Sequence, residues 1–117
     1  MKKAIIICNA GMSSSMIAKK VTQFFEGREL PIHVDATTLS HANATIEKDT
    51  YDLYLLSPQV KMADEKIRKA VAVYDKPLIN IEPEAYLPTD KSSILLAKQI
   101  FPFFKEDFVN EKNEGGQ

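Results

Sequence analysis

The sequence has few residues that build disulfides or metal sites. Among its 117 residues, Cys8 is the single cysteine and His33 and His41 are the two histidines. One cysteine cannot form a disulfide within the chain, which favours a reducing compartment. The two histidines are too few, and not suitably spaced with Cys8, to form a zinc site. We therefore expect a domain without a metal site, and no organic cofactor is expected either.

An excess of positive charge and long apolar runs are also missing. The 15 lysine and arginine residues are balanced by 16 acidic residues, and the net charge of −1 gives no electrostatic basis for nucleic-acid binding. No run approaches the roughly 18 apolar residues that a membrane span needs. The apolar stretch near the N-terminus is broken by Asn9 and is too short for a signal peptide. These absences predict a cytoplasmic protein.

What is present is typical of one globular domain, since 44% of the residues are hydrophobic and 26% are charged. We expect this domain over residues 1–104, followed by a polar and flexible C-terminal tail over residues 105–117. Four short apolar runs predict strands at residues 3–8, 32–36, 52–56 and 78–81. Helical spacing of apolar residues predicts helices at 13–27 and 60–74, a weakly indicated one at 40–47, and a last one from Asp90.

Strands that alternate with helices predict an α/β fold, because parallel strands need helical crossovers. We expect a four-stranded parallel sheet in the order 2-1-3-4, flanked by helices on both faces. Asp90 is expected to cap the last helix and Pro102 to end it. We expect Phe24, Phe101 and Phe103 to pack in the core because they recur at helical spacing.

The loop after the first strand carries the strongest chemical signal. A thiol at the end of a buried strand is followed by one glycine and three serines that can begin a helix. Unpaired N–H groups and the peptide dipoles at a helix start favour an anion, and the same field stabilises a thiolate. We expect Cys8 to be a nucleophile in a phosphate-binding loop formed by Asn9, Ala10, Gly11, Met12, Ser13, Ser14 and Ser15.

Each of these residues also has an ordinary structural interpretation. Taken alone, Cys8 could be a small buried hydrophobe, although the combination with the loop favours function. Ser13 could be an ordinary helix cap, and Ser14 or Ser15 could simply be solvated. Nucleotide-binding motifs fit poorly, because the loop lacks the lysine of a P-loop and has one glycine where a dinucleotide fingerprint needs three.

Two further segments are predicted to share the edge of the sheet with Cys8. In open parallel sheets ligands bind outside the carboxyl ends of the strands. The turn Ser57-Pro58-Gln59 follows the third strand, and the loop 82–86 follows the fourth. We therefore expect Ser57, Pro58, Gln59 and Tyr86 at the edge of the site. Tyr86 is about as well explained by a structural role, with its hydroxyl bonded to the backbone. We expect His33 on the exposed face of a strand and His41 near a helix start, with a phosphohistidine role for either as a minor alternative.

The loop Ile6-Ile7-Cys8-Asn9-Ala10-Gly11-Met12-Ser13-Ser14-Ser15 resembles the signature of the IIB component of the phosphoenolpyruvate-dependent sugar phosphotransferase system, in its lactose/cellobiose (chitobiose, lichenan) branch. The segments Leu55-Leu56-Ser57-Pro58-Gln59-Val60 and Ile81-Glu82-Pro83-Glu84-Ala85-Tyr86 are similar to the same family. The resemblance covers residues 3–104. The loop together with Ser-Pro-Gln at this distance makes the resemblance specific.

The resemblance implies that the chain is a phosphotransferase, acting as a phosphocarrier. Cys8 would accept a phosphoryl group from a phosphohistidine of the IIA protein and form a phosphocysteine. It would donate that group to a sugar, such as the β-linked disaccharide cellobiose, bound by the membrane permease IIC. The chain would then be cytoplasmic and peripherally associated with IIC at the membrane.

Two alternatives remain at this point. The expected topology resembles that of low-molecular-weight phosphatases and arsenate reductases, which also carry a cysteine loop after the first strand. Those phosphatases need an arginine six residues after the cysteine, and Ser14 stands there; serine lacks the bidentate grip of arginine on phosphate oxygens. The other alternative is a non-catalytic regulatory domain that docks partners, with Met12 and Val60 forming a small apolar patch.

Overall fold

Four parallel strands form the sheet in a computed structural model that describes residues 1–9 and 12–108. The strands are β1 (Lys2–Cys8), β2 (Ile32–Thr38), β3 (Leu53–Leu56) and β4 (Leu78–Asn80). Their order in the sheet is β2-β1-β3-β4 and every pairing is parallel, which confirms the predicted order. The two strands that carry the strongest apolar runs, β1 and β3, lie in the centre.

Over residues 12–100, four helices alternate with the strands, as predicted. They are α1 (Met12–Gly27), α2 (Ala42–Glu47), α3 (Asp64–Ala72) and α4 (Asp90–Ile100). Short 3-10 turns at Leu39–His41, Pro58–Ala63, Pro83–Ala85 and Phe101–Phe103 precede or follow them. None of the described helices is both long and apolar enough to cross a membrane.

Helices cover both faces of the sheet, so the core consists of two clusters that the sheet separates. Ala4 and Ile6 of β1 belong to a cluster that includes residues of α1 and α4. Ile5 and Ile7 point the other way and belong to a cluster that includes residues of α2 and α3. A strand that is buried on both faces needs apolar residues at successive positions, which explains why β1 shows no alternation.

The N-cap of the last helix lies one residue earlier than the sequence predicted. Thr89, not Asp90, is the N-cap, because its hydroxyl accepts a 3.2 Å hydrogen bond from the backbone N–H of Ser92. Asp90 is the first helical residue and pairs with Lys20 of α1 at 3.1 Å. The helix ends at Ile100, and Pro102 lies in the following 3-10 turn.

The core assignment of the phenylalanines is right for two of three. Phe24 and Phe101 are partly buried and pack against the core cluster. Phe103 is wrong, because its side chain is 43% exposed. Pro102 converts the end of α4 into a 3-10 turn, and the period of three residues per turn rotates later side chains off the helical stripe.

Residues 105–108, which fall in the predicted tail, have contacts with the domain. The ring of Phe108 stacks on that of Phe101, with centroids 6.2 Å apart, and Asp107 lies 3.5 Å from the ammonium of Lys2. Residues 109–117 lie outside the described residues. The division of the chain at residue 104 stays a prediction.

One edge of the sheet is formed by β2, and a side chain of α1 reaches its backbone. The hydroxyl of Thr22 accepts a 2.9 Å hydrogen bond from the N–H of Val34 and donates a 3.2 Å bond to the carbonyl of the same residue. Thr22 is buried. Both backbone groups of Val34 that point away from β1 are therefore satisfied within the domain.

On the β4 side of the sheet, a carboxylate links the start of α3 to the strand. Asp64, the first residue of α3, accepts two hydrogen bonds from Arg68 and one of 2.6 Å from the amide of Asn80 at the end of β4. These donors lower the pKa of Asp64 to about 2, with the Arg68 hydrogen bonds as the largest cause. Arg68 also donates to the carbonyl of Leu78 at 3.0 Å. The start of α3 is thus held against β4, close to the carboxyl ends of the strands.

Candidate functional site

Cys8 is the last residue of β1 and lies in a row of three side chains across the sheet. Its register partner on β2 is Thr38. On the other side, the N–H of Ser57 donates a 3.0 Å hydrogen bond to the carbonyl of Ile7, which continues the pairing of β1 with β3. Register partners on parallel strands project from the same face. Hydroxyl-bearing residues therefore flank Cys8 on both sides, at the edge of the sheet where the sequence predicted a site.

The thiol of Cys8 is buried and makes two polar contacts. Its Sγ lies 2.9 Å from the hydroxyl oxygen of Ser14 and donates a longer hydrogen bond, 3.3 Å, to the carbonyl of Thr37. Cys8 is 1% exposed and Ser14 is 2% exposed. A purely structural cysteine would be surrounded by apolar atoms, whereas this sulfur lies against a hydroxyl in the first turn of a helix.

That helix, α1, begins at Met12 and runs for 16 residues. Because Ser14 in its first turn contacts the sulfur, the N-terminus of α1 lies beside Cys8. Its first turn carries no acidic side chain. The unpaired N–H groups and the helix dipole at this end favour an anion. A dianionic group attached to Sγ would therefore meet a favourable field from backbone groups.

The predicted phosphate-binding residues differ in their burial beside the sulfur. Ser14 contacts it, as described, whereas Asn9, Ser13 and Ser15 are exposed. Ser15 lines a groove of about 520 Å³ between α1 and β2 instead. Ala10 and Gly11 lie outside the described residues, as does the side chain of Met12. Their part in a phosphate-binding loop stays a prediction.

The turn after β3 brings a second hydroxyl to the site. Ser57 is fully buried, and within the described residues its hydroxyl makes no hydrogen bond of standard geometry. Pro58 begins the following 3-10 turn and is partly buried, and Gln59 is exposed. Val60 is 1% exposed and belongs to the core. The expectation that Val60 contributes to an apolar docking patch is therefore wrong.

Tyr86 comes close to Cys8, as the loop position predicted. Burial is the main cause that raises the pKa of its hydroxyl, and the charge of Cys8 raises it further. Hydrogen bonding to the Ser57 and Ser14 side chains acts in the opposite direction. Although Ser57 lacks a bond of standard geometry, its hydroxyl is thus near enough to Tyr86 to stabilise the phenolate. Three hydroxyls, from Ser14, Ser57 and Tyr86, converge beside the sulfur.

This proximity leads to a prediction for the titration of Tyr86. A thiolate at Cys8 disfavours a second negative charge nearby, so Cys8→Ala is expected to lower the pKa of Tyr86 relative to the unmodified protein. The measurement is a pH titration of the tyrosine ring carbons by NMR. Identical curves for Tyr86 in both proteins would show that the two side chains do not interact.

One group of residues at this edge was missed by the sequence analysis. Thr38, at the end of β2, lies beside Cys8, and its hydroxyl oxygen is 2.9 Å from that of Ser40 and 2.8 Å from Nδ1 of His41. The predicted second strand ended at residue 36, two positions too early. Extending it in parallel register with β1 would have placed Thr38 next to Cys8.

The two histidines have different surroundings. His33 is near the start of β2, where its register partner is Lys3, and its Nε2 lies 2.6 Å from a carboxylate oxygen of Asp35. His41 is exposed and lies near a helix start, as predicted. Within residues 1–9 and 12–108, no group of histidine, cysteine and acidic side chains is arranged to hold a metal ion.

Known proteins share this fold. The family model of the phosphotransferase system (PTS) lactose/cellobiose-specific IIB subunit matches residues 3–98. A lactose-specific IIB component domain from Streptococcus pneumoniae is 15% identical, with a TM-score of 0.67 over 85% of this chain and 97% of that one. A cellobiose-specific phosphotransferase IIB component from Borrelia burgdorferi is 17% identical, with a TM-score of 0.62 over 93% of each chain. No curated protein sequence matches significantly.

Proposed function

The chain belongs to the lactose/cellobiose-specific IIB subunits of the sugar phosphotransferase system, and from this premise we propose that Cys8 is its phosphoryl-carrying residue. IIB subunits act together with IIA and IIC components. In this proposal IIA supplies the phosphoryl group as a phosphohistidine. The acceptor is a sugar bound by the membrane permease IIC, a β-linked disaccharide such as cellobiose. The domain works in the cytoplasm and associates with IIC at the membrane surface.

The observation that carries the proposal is the contact of the Cys8 sulfur with Ser14 at the start of α1. Phosphoryl transfer requires in-line positioning and stabilisation of charge spread over three equatorial oxygens. A helix N-terminus with an adjacent hydroxyl supplies such donors without a metal ion. The predicted loop residues from Asn9 to Ser15 would complete this set.

Each of the two transfer steps forms one bond to phosphorus and breaks one, and neither needs a further co-reactant. In the first, the Cys8 thiolate attacks phosphorus, the S–P bond forms and the N–P bond to the donor histidine breaks. The imidazole leaves with the bonding electron pair and is neutral, because its other nitrogen carries a proton, and the thiol proton has gone to solvent. In the second, a sugar hydroxyl oxygen attacks phosphorus and the O–P bond forms. The S–P bond breaks, Cys8 leaves as a thiolate with the bonding electron pair, and the hydroxyl proton is released to solvent.

Ser14 also supports a carrier over a phosphatase. A phosphatase of similar topology places an arginine at this position, and the guanidinium grips the oxygens of the transition state with two hydrogen bonds. Ser14 is buried against the sulfur and offers one hydroxyl. A carrier has to keep its phosphocysteine until the acceptor arrives, so weak stabilisation of attack by water suits its task.

The test is to locate the phosphoryl group. The full chain is mixed with phosphoenolpyruvate, the upstream phosphotransfer proteins and IIA, and the labelled residue is identified by mass spectrometry of peptides. We expect the label on Cys8, and its loss when IIC-containing membranes and cellobiose are added. A label on His33 or His41 would contradict the proposal.

A second measurement separates the carrier from the two alternatives. Turnover of aryl phosphates that disappears in Cys8→Ala would instead establish a phosphatase. Binding of IIA that is unaffected by Cys8→Ser, with no label in the unmodified protein, would indicate a docking domain. For the carrier we expect a labelled Cys8 and no aryl phosphatase turnover.

A further inference from the structure

A cluster of two hydroxyls and one imidazole lies on the β2 side of Cys8. Thr38 is at its centre, with Ser40 and Nδ1 of His41 both within hydrogen-bonding distance of its hydroxyl oxygen. A longer contact of 3.4 Å joins Ser40 to the same nitrogen. The hydroxyl of Thr45 donates to the carbonyl of His41 at 3.0 Å, which holds the histidine backbone from behind. The imidazole thus contacts Thr38 and Ser40, and the backbone of His41 is anchored by Thr45.

The register of the sheet places this cluster next to the sulfur. Thr38 pairs with Cys8, so both side chains leave the same face of the sheet from adjacent strands. The sulfur already leans toward β2, because it donates to the carbonyl of Thr37. On the opposite side of the sulfur the equivalent position is taken by Ser57. A group attached to Cys8 thus lies between the hydroxyls of two neighbouring strands.

We propose that Thr38 donates a hydrogen bond to the phosphoryl group on Cys8, and that His41 is a positioning residue that directs this hydroxyl. The inference rests on the proposed function of Cys8 as the phosphoryl carrier. It adds a donor from β2 to the donors that the loop after β1 provides.

The donors and acceptors around Thr38 determine where its hydroxyl proton points. A hydroxyl has one proton to donate and two lone pairs to accept with. When Nδ1 of His41 carries a proton and the Ser40 hydroxyl donates its own, both donate to the oxygen of Thr38. The Thr38 proton is then free to point at an oxygen of the phosphoryl group. The neutral tautomer with a proton on Nδ1 is sufficient, so a change in charge on His41 is not required.

The expected effect of removing this donor is on the transfer step. Thr38→Val keeps the shape of the side chain and deletes the hydroxyl. A hydrogen bond to a charged group corresponds to a rate factor of about 10- to 100-fold. We expect kcat for transfer from phosphorylated IIA to fall by about that factor, with KM for IIA unchanged. Thr38→Ser is expected to restore most of the rate, because it restores the hydroxyl.

His41 is tested through Thr38. His41→Leu removes the donor to Thr38 and is expected to slow transfer by about 2- to 10-fold, the range of a neutral hydrogen bond. His41→Asn places an amide N–H where Nδ1 stood and is expected to recover the rate. His33→Leu and Thr50→Val change the same residue types away from the site, and we expect transfer by both to match the unmodified protein.

A spectroscopic readout distinguishes a hydrogen bond from a structural effect. A donor to the phosphoryl group stabilises its more charged form, so removing the donor raises the pKa of that group. The ³¹P signal of phosphorylated Thr38→Val, followed against pH by NMR, is therefore expected to titrate at higher pH than that of the unmodified protein. Thermal unfolding of Thr38→Val and Thr38→Ser shows whether both are folded at the assay temperature.

The possible results distinguish the role of Thr38 from the carrier function of Cys8. If Cys8 is labelled in the unmodified protein but Thr38→Val transfers at the same rate with the same ³¹P titration, the role of Thr38 is refuted and the carrier function stands. A rise in KM for IIA without a change in kcat would assign Thr38 to docking and would also refute it. If no label reaches Cys8 in the unmodified protein, both fall together.

Discussion

Replacing Cys8 with serine is expected to abolish acceptance of the phosphoryl group from IIA. Serine has nearly the same shape but is a weak nucleophile at neutral pH, and the partners of Cys8 among the described residues, the Ser14 hydroxyl and the Thr37 carbonyl, are not bases of the kind that activates catalytic serines. Loss of an enzyme nucleophile lowers kcat on the order of 10⁶-fold, which is complete loss in a labelling assay. The measurement is incorporation of ³²P from phosphoenolpyruvate through IIA.

The design of this experiment depends on Cys8→Ser remaining folded. The side chain at this position is 1% exposed and lies 2.9 Å from Ser14, so a hydroxyl finds a hydrogen-bonding partner there. His33→Gln is the matched control for a rival phosphohistidine, and it is expected to accept label at the normal rate. Label that persists in folded Cys8→Ser protein would show that another residue carries the phosphoryl group.

The second large effect is expected on stability, at the centre of the sheet. Leu55 of β3 is 0% exposed, pairs with Ile6 on one side and with Ile79 on the other, and belongs to the cluster beneath α1 and α4. Leu55→Ala leaves a cavity in a core that cannot fully collapse. We expect the free energy of unfolding to fall by about 3 kcal/mol, and the midpoint of thermal unfolding by roughly 10 °C.

Val73 provides the comparison for Leu55. Its side chain is 77% exposed at the end of α3, and Val73→Ala is expected to change the free energy of unfolding by no more than about 0.5 kcal/mol. Urea unfolding followed by circular dichroism measures both variants. Equal stability of Leu55→Ala and the unmodified protein would mean that β3 is not at the centre of the packed sheet.

The architecture could be predicted because its signals are local and repeated. The apolar runs of β1 and β3 and the helical spacing of residues in α1 and α3 each indicate one element, and alternation of the elements implies a parallel sheet. The order of the strands and the presence of helices on both faces of the sheet were predicted as well. That Cys8 and Ser14 lie together could be predicted, because they are six residues apart, on a strand end and a helix start that a single loop connects.

The features that were missed depend on the register between distant segments. Thr38 is thirty positions from Cys8 in the chain, and no local pattern links the two residues. Thr89 was passed over as a cap because Asp90 beside it is an equally good cap by residue type, and the backbone geometry decides between them. Phe103 follows a proline, where a 3-10 turn replaces the helical spacing used to assign its face.

The hydrogen bonds between Thr22 and Val34 have a consequence for how this domain meets other proteins. An exposed edge strand offers its backbone to any other extended segment, and this is how sheets grow into aggregates or capture peptides. In β2 the outward N–H and carbonyl at the middle of the strand are already occupied by one hydroxyl. A foreign strand would have to displace that hydroxyl before it could pair along β2. Strand addition at the middle of β2 is thereby disfavoured.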